Sequence, residues 1–390
     1  MAAVLLLSVV GLSSPPLLVQ RHPSGWLELT LNRPDKLNAL SSELIDSLQE
    51  QVIAAGCADI KGVLLTAAPG RAFCAGGDIR EAASVPLADG QNFLRREYRL
   101  MLTLKELNAA KPVVALAEGF VFGAGAGLFM SADTRIVSAS STFAMPECVL
   151  GIVPDTGASD FLRAMPGSLG RWASLTGARL AAPMMAATGL ATHAMEADEG
   201  GGYGTSRAEL RERLLACGST EQLEASLSRE GAAARAVAKA VGVERLESLS
   251  AAAERCFGPG LEQADENLAS EYAAALLDED EALAAWANDA RAKLSRAEPA
   301  ALLLADECLR VSLGENAVAR RAKALGVELA ANCKLAGRPA FQEGVSCAVG
   351  AKKGEVPRWE HSSVQAAAAD PAVAAILEAV REAEPLPSSF

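Results

Sequence analysis

The sequence predicts an α/β protein with a mainly parallel sheet and a helical layer on its C-terminal side. Three observations carry this. Short apolar strands alternate with helix-length amphipathic segments from Leu17 to about Ser138, and two glycine-crowded turns, Phe73–Asp78 and Gly119–Gly127, each follow such a strand. Beyond a Gly-rich, acidic stretch at 196–203, nearly everything is Ala, Leu, Glu and Arg at helical spacing. Alternating strands and helices require right-handed crossovers over a parallel sheet, which places ligands at the strand ends.

The elements follow in order. Leu17–Gln20, the Pro23-Ser24-Gly25 turn and the alternating Trp26–Leu31 read as a hairpin. Ser41 to Gly56 reads as a helix with Leu44, Ile45, Leu48, Val52 and Ile53 on one face, Ser41 or Ser42 as N-cap and Gly56 as stop. Gly62–Thr66 is a short buried strand, closed by Pro69-Gly70. Then come a helix over about 91–108, a strand Val113–Ala117, the second glycine turn, a helix over about 124–132 and a strand Thr134–Ser138. The stretch 196–203 reads as a surface loop or hinge. After it, Glu221–Ala240, Glu262–Leu277, Asp280–Ala292, Ala300–Leu313 and Ala317–Cys333 read as Ala-rich helices, packing scaffold more than chemistry. Three parts result: 1–16, a leader of unclear role; 17–195, the core that carries the motifs; and 196–390, a mainly helical region. The apolar run in Met1–Ser14 has no Lys or Arg and is too short to span a membrane, so it reads as an untidy leader or an extra strand.

The 390 residues, half of them hydrophobic, can bury a large core. A net charge of −12 gives no basic footprint, which argues against nucleic acid as a partner. Eight cysteines without a CxxC pair and only three histidines make neither a zinc site nor a disulfide framework legible. Buried thiols behaving as small hydrophobes account for them.

The chemistry concentrates in two short stretches. Phe143-Ala144-Met145-Pro146-Glu147 and Gly151-Ile152-Val153-Pro154-Asp155 place two carboxylates eight residues apart, each directly behind a proline. Glycine-rich turns at helix starts present backbone N–H groups outward, where they hold an oxygen that gains negative charge; losing one such donor costs roughly 3–4 kcal/mol of barrier lowering. The candidate donors are the amides of Gly77 and Ala124, with the helix dipole adding to each. The competing reading of Gly119–Gly127 is a dinucleotide fingerprint, but the acid about twenty positions on, Glu147, follows a proline instead of closing a strand. No GK[ST] occurs, which excludes a P-loop. Glu147 also suits the first turn of a helix behind Pro146, and Asp155 the same position behind Pro154. Glu97 and Tyr98, on the long central helix, fit a pocket or a surface salt pair equally.

These residues resemble the crotonase (enoyl-CoA hydratase/isomerase) superfamily, through Leu31-Asn32-Arg33-Pro34, Asn38-Ala39-Leu40, Ala72-Phe73-Cys74-Ala75-Gly76-Gly77-Asp78-Ile79 and Lys111-Pro112-Val113-Val114-Ala115. Phe93–Tyr98, Phe143–Glu147, Gly151–Asp155, Leu175-Thr176-Gly177, Ala191-Thr192-His193, Phe341–Val345 and Pro357-Arg358-Trp359 look like its 3-hydroxyisobutyryl-CoA hydrolase branch. The resemblance is dense over about 26–195 and returns over about 298–360. It implies a crotonase-like fold, a spiral core of repeated strand–strand–helix units, with a C-terminal helical layer. It further implies an oxyanion hole from the Gly77 and Ala124 amides, Glu147 and Asp155 as the catalytic acid pair, and Glu97 lining the acyl pocket. Hydratases of the superfamily carry a second glutamate in the second glycine turn, where this chain has Gly127; hydrolysis is therefore the expectation, with Glu147 activating water or attacking the carbonyl directly. The branch has further departures here: Ala124 for a glycine, Arg96 for a glutamate, Ala158-Ser159 for a glycine pair, and Ser346 for an arginine. Lys36, Lys111 and Lys352-Lys353 are candidates for CoA phosphates or for plain solvated lysines.

The implied partner is an acyl-CoA substrate, with no separate cofactor since coenzyme A is part of the substrate, no metal, no nucleic acid and no membrane; a homo-oligomer is compatible. The resemblance points to the mitochondrial matrix, in valine breakdown, with the cytoplasm as the alternative compartment. Two other readings stay open: a hydration or isomerisation of another enoyl-CoA, and a non-catalytic CoA-binding homologue.

Overall fold

In a computed structural model, residues 14–195, 204–239, 241–258 and 281–388 are described. The expectations for residues 1–13, the stretch 196–203 and the helix Glu262–Leu277 lie outside them.

Among the described residues ten strands form two sheets. β1 (Leu17–Arg21), β2 (Trp26–Leu31), β3 (Gly62–Ala67), β5 (Val113–Ala117), β7 (Thr134–Val137) and β10 (His193–Ala194) make a six-stranded sheet in that order. Only the β1–β2 hairpin is antiparallel; Val63 faces Val113 and Leu116 faces Ile136 in parallel register. The second sheet, β4 (Ala72–Cys74), β6 (Phe120–Phe122), β8 (Thr142–Ala144) and β9 (Leu180–Ala181), is not legible in the sequence. Its strands are two or three residues long, too short to show alternation. It refines the reading of Gly119–Gly127: the first half of that turn is β6, pairing with β4 and β8 in parallel.

The predicted helices stand with small shifts at their ends. Ser42–Ala54 is capped by Ser41, whose hydroxyl accepts from the Leu44 amide, and it buries Leu44, Ile45, Leu48 and Val52. The helix expected at 91–108 runs from Leu87 to Ala110, starting directly after Pro86. One continuous apolar cluster joins both halves of the chain, from Leu27 and Val63 through Phe129 and Phe143 to Leu325 and Val380. The other face of the six-stranded sheet is covered by helices Gly204–Ala216 and Thr220–Lys239, where Leu210, Leu214, Leu223 and Leu227 pack on Trp26, Leu64, Val114 and Ile136. Both faces of the central strands are thus dry, which explains their unbroken apolar runs. Among the described residues no helix is long and apolar enough to cross a membrane.

Candidate functional site

The two glycine turns meet. Leu40 forms one parallel bridge with Gly77: its amide donates to the Gly76 carbonyl at 2.9 Å, and the Asp78 amide donates to the Leu40 carbonyl at 2.8 Å. A parallel bridge uses the groups flanking the central residue, so the N–H of Gly77 itself points to the other side. Ala124 is the first residue of its helix, where a backbone N–H has no intrahelical acceptor. A Cβ on Gly76 would lie 3.4 Å from the Phe122 carbonyl oxygen and 3.8 Å from the Ala124 nitrogen, so the two turns are in contact. Positive φ in the second turn falls on Gly119, at +71°, and Gly123, at +52°, and not on Ala124. The alanine methyl therefore adds no backbone strain where the family commonly has glycine.

Both carboxylates join them. Glu147 opens a short 3₁₀ turn behind Pro146, as the helix-start reading expects, and it also lines the candidate cavity. Its carboxyl rests on the second glycine turn: a Cβ on Gly123 would meet Glu147 Oε1 at 2.7 Å. Asp155 precedes Thr156 and Gly157, both at positive φ, which turn the chain sharply. Glu97, undecided from sequence, is 3% exposed and faces Gly77, whose Cβ would meet Glu97 Oε1 at 2.8 Å. Gly77, Ala124, Glu97, Glu147 and Asp155 line one cavity of about 870 Å³, with Lys36, Arg80 and Asp78 at its polar side and Phe93, Leu94, Ile152 and Phe341 supplying apolar wall.

The cavity's acids differ in their partners. Asp155 Oδ2 accepts from the Tyr98 hydroxyl at 2.6 Å and from Asn332 Nδ2 at 3.0 Å. Burial pushes Asp155 up to about 6, and these two donors oppose the rise. Glu147 and Glu97 are raised well above the usual carboxylate range, first by burial and then by the charge of Asp155. Glu147 Oε2 and Glu97 Oε1 are buried without a hydrogen-bond partner, consistent with groups that meet a ligand.

The largest correction concerns the C-terminal helices. Read as scaffold, the helix Ala317–Leu335 braces, with three side chains, the segments that carry the site. Asn332 holds Asp155. Glu328 accepts from the amides of Gly157 at 2.8 Å and Ser159 at 2.7 Å, fixing the turn behind Asp155, and burial raises it to about 8 against those two amides. Arg321, fully buried, donates to the Met130 carbonyl and the Ser131 hydroxyl at 3.2 Å, at the end of the helix that begins with Ala124. Arg321, Glu328 and Asn332 stand at i, i+7 and i+11, a polar stripe at helical spacing inside an Ala- and Leu-rich helix. That stripe was the available signal.

Other candidates are structural. Lys111 Nζ donates to the carbonyls of Ala55, Cys57 and Ile60, each at 2.8 Å, closing the end of helix Ser42–Ala54 and leaving phosphate binding without a donor there. Lys352 pairs with Glu343 at 2.5 Å. Arg96, where the branch has a glutamate, lies on the outside and grips Asp46 at 2.8 Å. The tight fit at Gly127 explains the missing second glutamate, because Thr156 fills the space a side chain there would need.

Comparison with known proteins places the chain in a family. A mitochondrial 3-hydroxyisobutyryl-CoA hydrolase from Xenopus tropicalis is 38% identical over 175 residues, 44% of this chain and 45% of that protein. The small ribosomal subunit protein mS47 of Schizosaccharomyces pombe is 36% identical over 186 residues, 46% of this chain and 43% of that one. The chain spans about half the length of the curated relatives it matches. Among solved structures, an enoyl-CoA hydratase from Rhodobacter sphaeroides 2.4.1 superposes with a TM-score of 0.73 at 31% identity, over 93% of this chain and 97% of that one. With the family model for enoyl-CoA hydratase/isomerase matching residues 27–377, the chain belongs to the enoyl-CoA hydratase/isomerase family.

Proposed function

We propose that this protein hydrolyses the thioester of 3-hydroxyisobutyryl-CoA, giving 3-hydroxyisobutyrate and CoA, a step of valine breakdown, in the mitochondrial matrix. The observation that carries this reading is the meeting of two outward amides, Gly77 and Ala124, with the Glu147 carboxyl seated on the same glycine turn. The named hydrolase among its relatives supports the choice of substrate.

The thioester oxygen sits between the two amides, whose fixed dipoles stabilise the charge that develops on it. The acid pair works with one shared proton. Asp155, the better solvated of the two by its donors, carries the negative charge at rest, and Glu147 carries the proton. Asp155 draws that proton as Glu147 attacks the carbonyl carbon; the C–S bond breaks, the thiolate leaves with the proton from Asp155, and a mixed anhydride remains. Water, deprotonated by Asp155, then cleaves the anhydride at the Glu147 carbonyl; the carboxylate product leaves, Glu147 is again a carboxylic acid, and Asp155 gives its proton to solvent, which restores the enzyme. Glu97, holding its proton in a buried wall, donates a hydrogen bond to the substrate's hydroxyl.

Hydration, the second reading, lacks its second glutamate, and Gly127 has no room for one. The third, a non-catalytic homologue, has a specific observation behind it, since a ribosomal subunit protein matches at similar identity. One experiment separates the three: purified protein with 3-hydroxyisobutyryl-CoA, following thiol release, beside crotonyl-CoA, following loss of the conjugated double bond. Thiol release that Glu147→Gln abolishes is the expected result. Alkene loss alone supports hydration, and silence with measurable CoA binding supports the non-catalytic reading. A single turnover in ¹⁸O-water then tests direct attack with cleavage at Glu147, which leaves the first product unlabelled; a labelled first product means that water attacks the acyl carbon, of the thioester or of the anhydride.

A further inference from the structure

The amide of Asn332 has only one orientation that satisfies its neighbours. Its Oδ1 accepts from the Val153 amide at 2.9 Å, and its Nδ2 donates to the Val153 carbonyl at 3.0 Å. With the oxygen fixed there, the remaining N–H faces Asp155 Oδ2 at 3.0 Å and the Tyr98 hydroxyl oxygen at 3.1 Å. Tyr98 has a single hydrogen, and with its oxygen receiving from Asn332 that hydrogen goes to Asp155 Oδ2 at 2.6 Å. One carboxylate oxygen thus receives two donors, both from buried side chains, and neither donor has another acid to serve. Glu147 and Glu97, in the same cavity, have no such support.

We infer that Tyr98 and Asn332 are positioning residues that hold the Asp155 carboxylate charged and aimed into the cavity, so that helix Ala317–Leu335 belongs to the catalytic apparatus. This rests on the hydrolytic reading above. The ionisable groups facing Asp155 are Glu97 and Tyr98 from helix Leu87–Ala110, Glu147 from the 3₁₀ turn, and Glu328 from helix Ala317–Leu335, all of them acids. The nearby buried cation, Arg321, is engaged with Asp160 at 3.3 Å. Without a counter-charge, hydrogen bonds favour the ionised form of Asp155, first those from Tyr98 and Asn332 and then that of its own backbone amide. Asn332 does this in the same contact that fixes Val153, two residues upstream, so charge and aim are set together.

The test compares the full-length protein with its Tyr98→Phe and Asn332→Ala variants. Two quantities are followed from pH 5 to 9: kcat and KM for 3-hydroxyisobutyryl-CoA, and the ¹³C resonance of the Asp155 carboxyl, assigned with Asp155→Asn. Losing a donor moves the acid limb of the kcat profile, and the carboxyl titration with it, upward by about one pH unit. At pH 6 kcat then falls about fivefold in Tyr98→Phe while KM changes little. A loss of kcat that is uniform with pH, with the carboxyl titration unmoved, overturns the inference and leaves both residues merely structural. If Asn332→Ala does not fold, because Val153 loses two partners, Tyr98→Phe alone decides, since it removes one oxygen. Should the wild-type protein release no thiol at all, the hydrolytic reading fails; the carboxyl titration still decides whether Tyr98 and Asn332 hold Asp155 charged.

Discussion

A Cβ on Gly127 would stand 2.3 Å from the Thr156 hydroxyl oxygen and 2.4 Å from the Thr156 Cβ. Real Cβ atoms do not approach so closely, and Thr156 cannot withdraw, because it is held at φ +56° beside Asp155 and its hydroxyl donates to the Asp155 carbonyl at 2.6 Å. The turn that aims Asp155, one of the two proposed catalytic acids, thus occupies the place where a second glutamate is expected in hydratases. Gly127→Glu is therefore expected to add no hydratase activity toward crotonyl-CoA and to destabilise the protein by about 3 kcal/mol or more through overpacking. A thermal melt beside the activity assay checks both, and adding Thr156→Gly should recover part of the lost stability.

The Ala124 amide can be removed with little else. Ala124 occupies the first helical position, where proline's missing N–H breaks no intrahelical bond and its φ suits the helix, and the preceding residue is a glycine. Ala124→Pro deletes one of the two donors and places ring atoms in the cavity. Thiol release should fall by about 10²-fold to 10³-fold, with a melting temperature close to that of the wild type. A variant that keeps near-normal kcat would remove Ala124 from the proposed oxyanion hole.

What the sequence made legible follows from the range of the physics involved. Local chemistry was readable: Val113–Ala117 stands as predicted, Ser41 caps its helix, and the glycine turns converge because both end parallel strands. Glu147 and Asp155 stood out as acids behind prolines beside glycine turns. The partners of Asn332, Glu328 and Arg321 were not readable, because each lies about 160 to 190 residues earlier and the polar stripe on the helix marks a face without marking what it meets. Ala-rich periodicity reports that a helix packs, not what its few polar residues reach. Thr156 at positive φ was hidden for a related reason: a β-branched residue is the last choice for that conformation, and only the surrounding turn holds it there.

Protonation of the cavity sets a pH dependence. Asp155 lies near 6, above its usual range, because burial outweighs its two donors. Its charged form is lost as pH falls through about 6, so thiol release should decline on that side with an acid limb near pH 6, well above the limb an exposed aspartate would give. A kcat profile flat down to pH 5 would mean that the charge of Asp155 is not used.

Glu328 reports on stability instead of rate. Burial raises it to about 8, although it accepts the Gly157 and Ser159 amides. The folded state thus binds this proton more tightly than the unfolded chain does. For a carboxyl raised in this way, stability is greatest below its unfolded pKa near 4.5 and declines as pH rises toward about 8, by several kcal/mol in all for a fully buried group. Glu328→Gln removes that titration but leaves one of the two amides facing an NH₂ group, at a cost of about 1–3 kcal/mol. The variant should therefore be the less stable protein at pH 5, yet lose less between pH 5 and 8 than the wild type does. Urea unfolding at the two pH values measures both differences, and parallel losses in the two proteins would show that Glu328 keeps an ordinary carboxylate pKa.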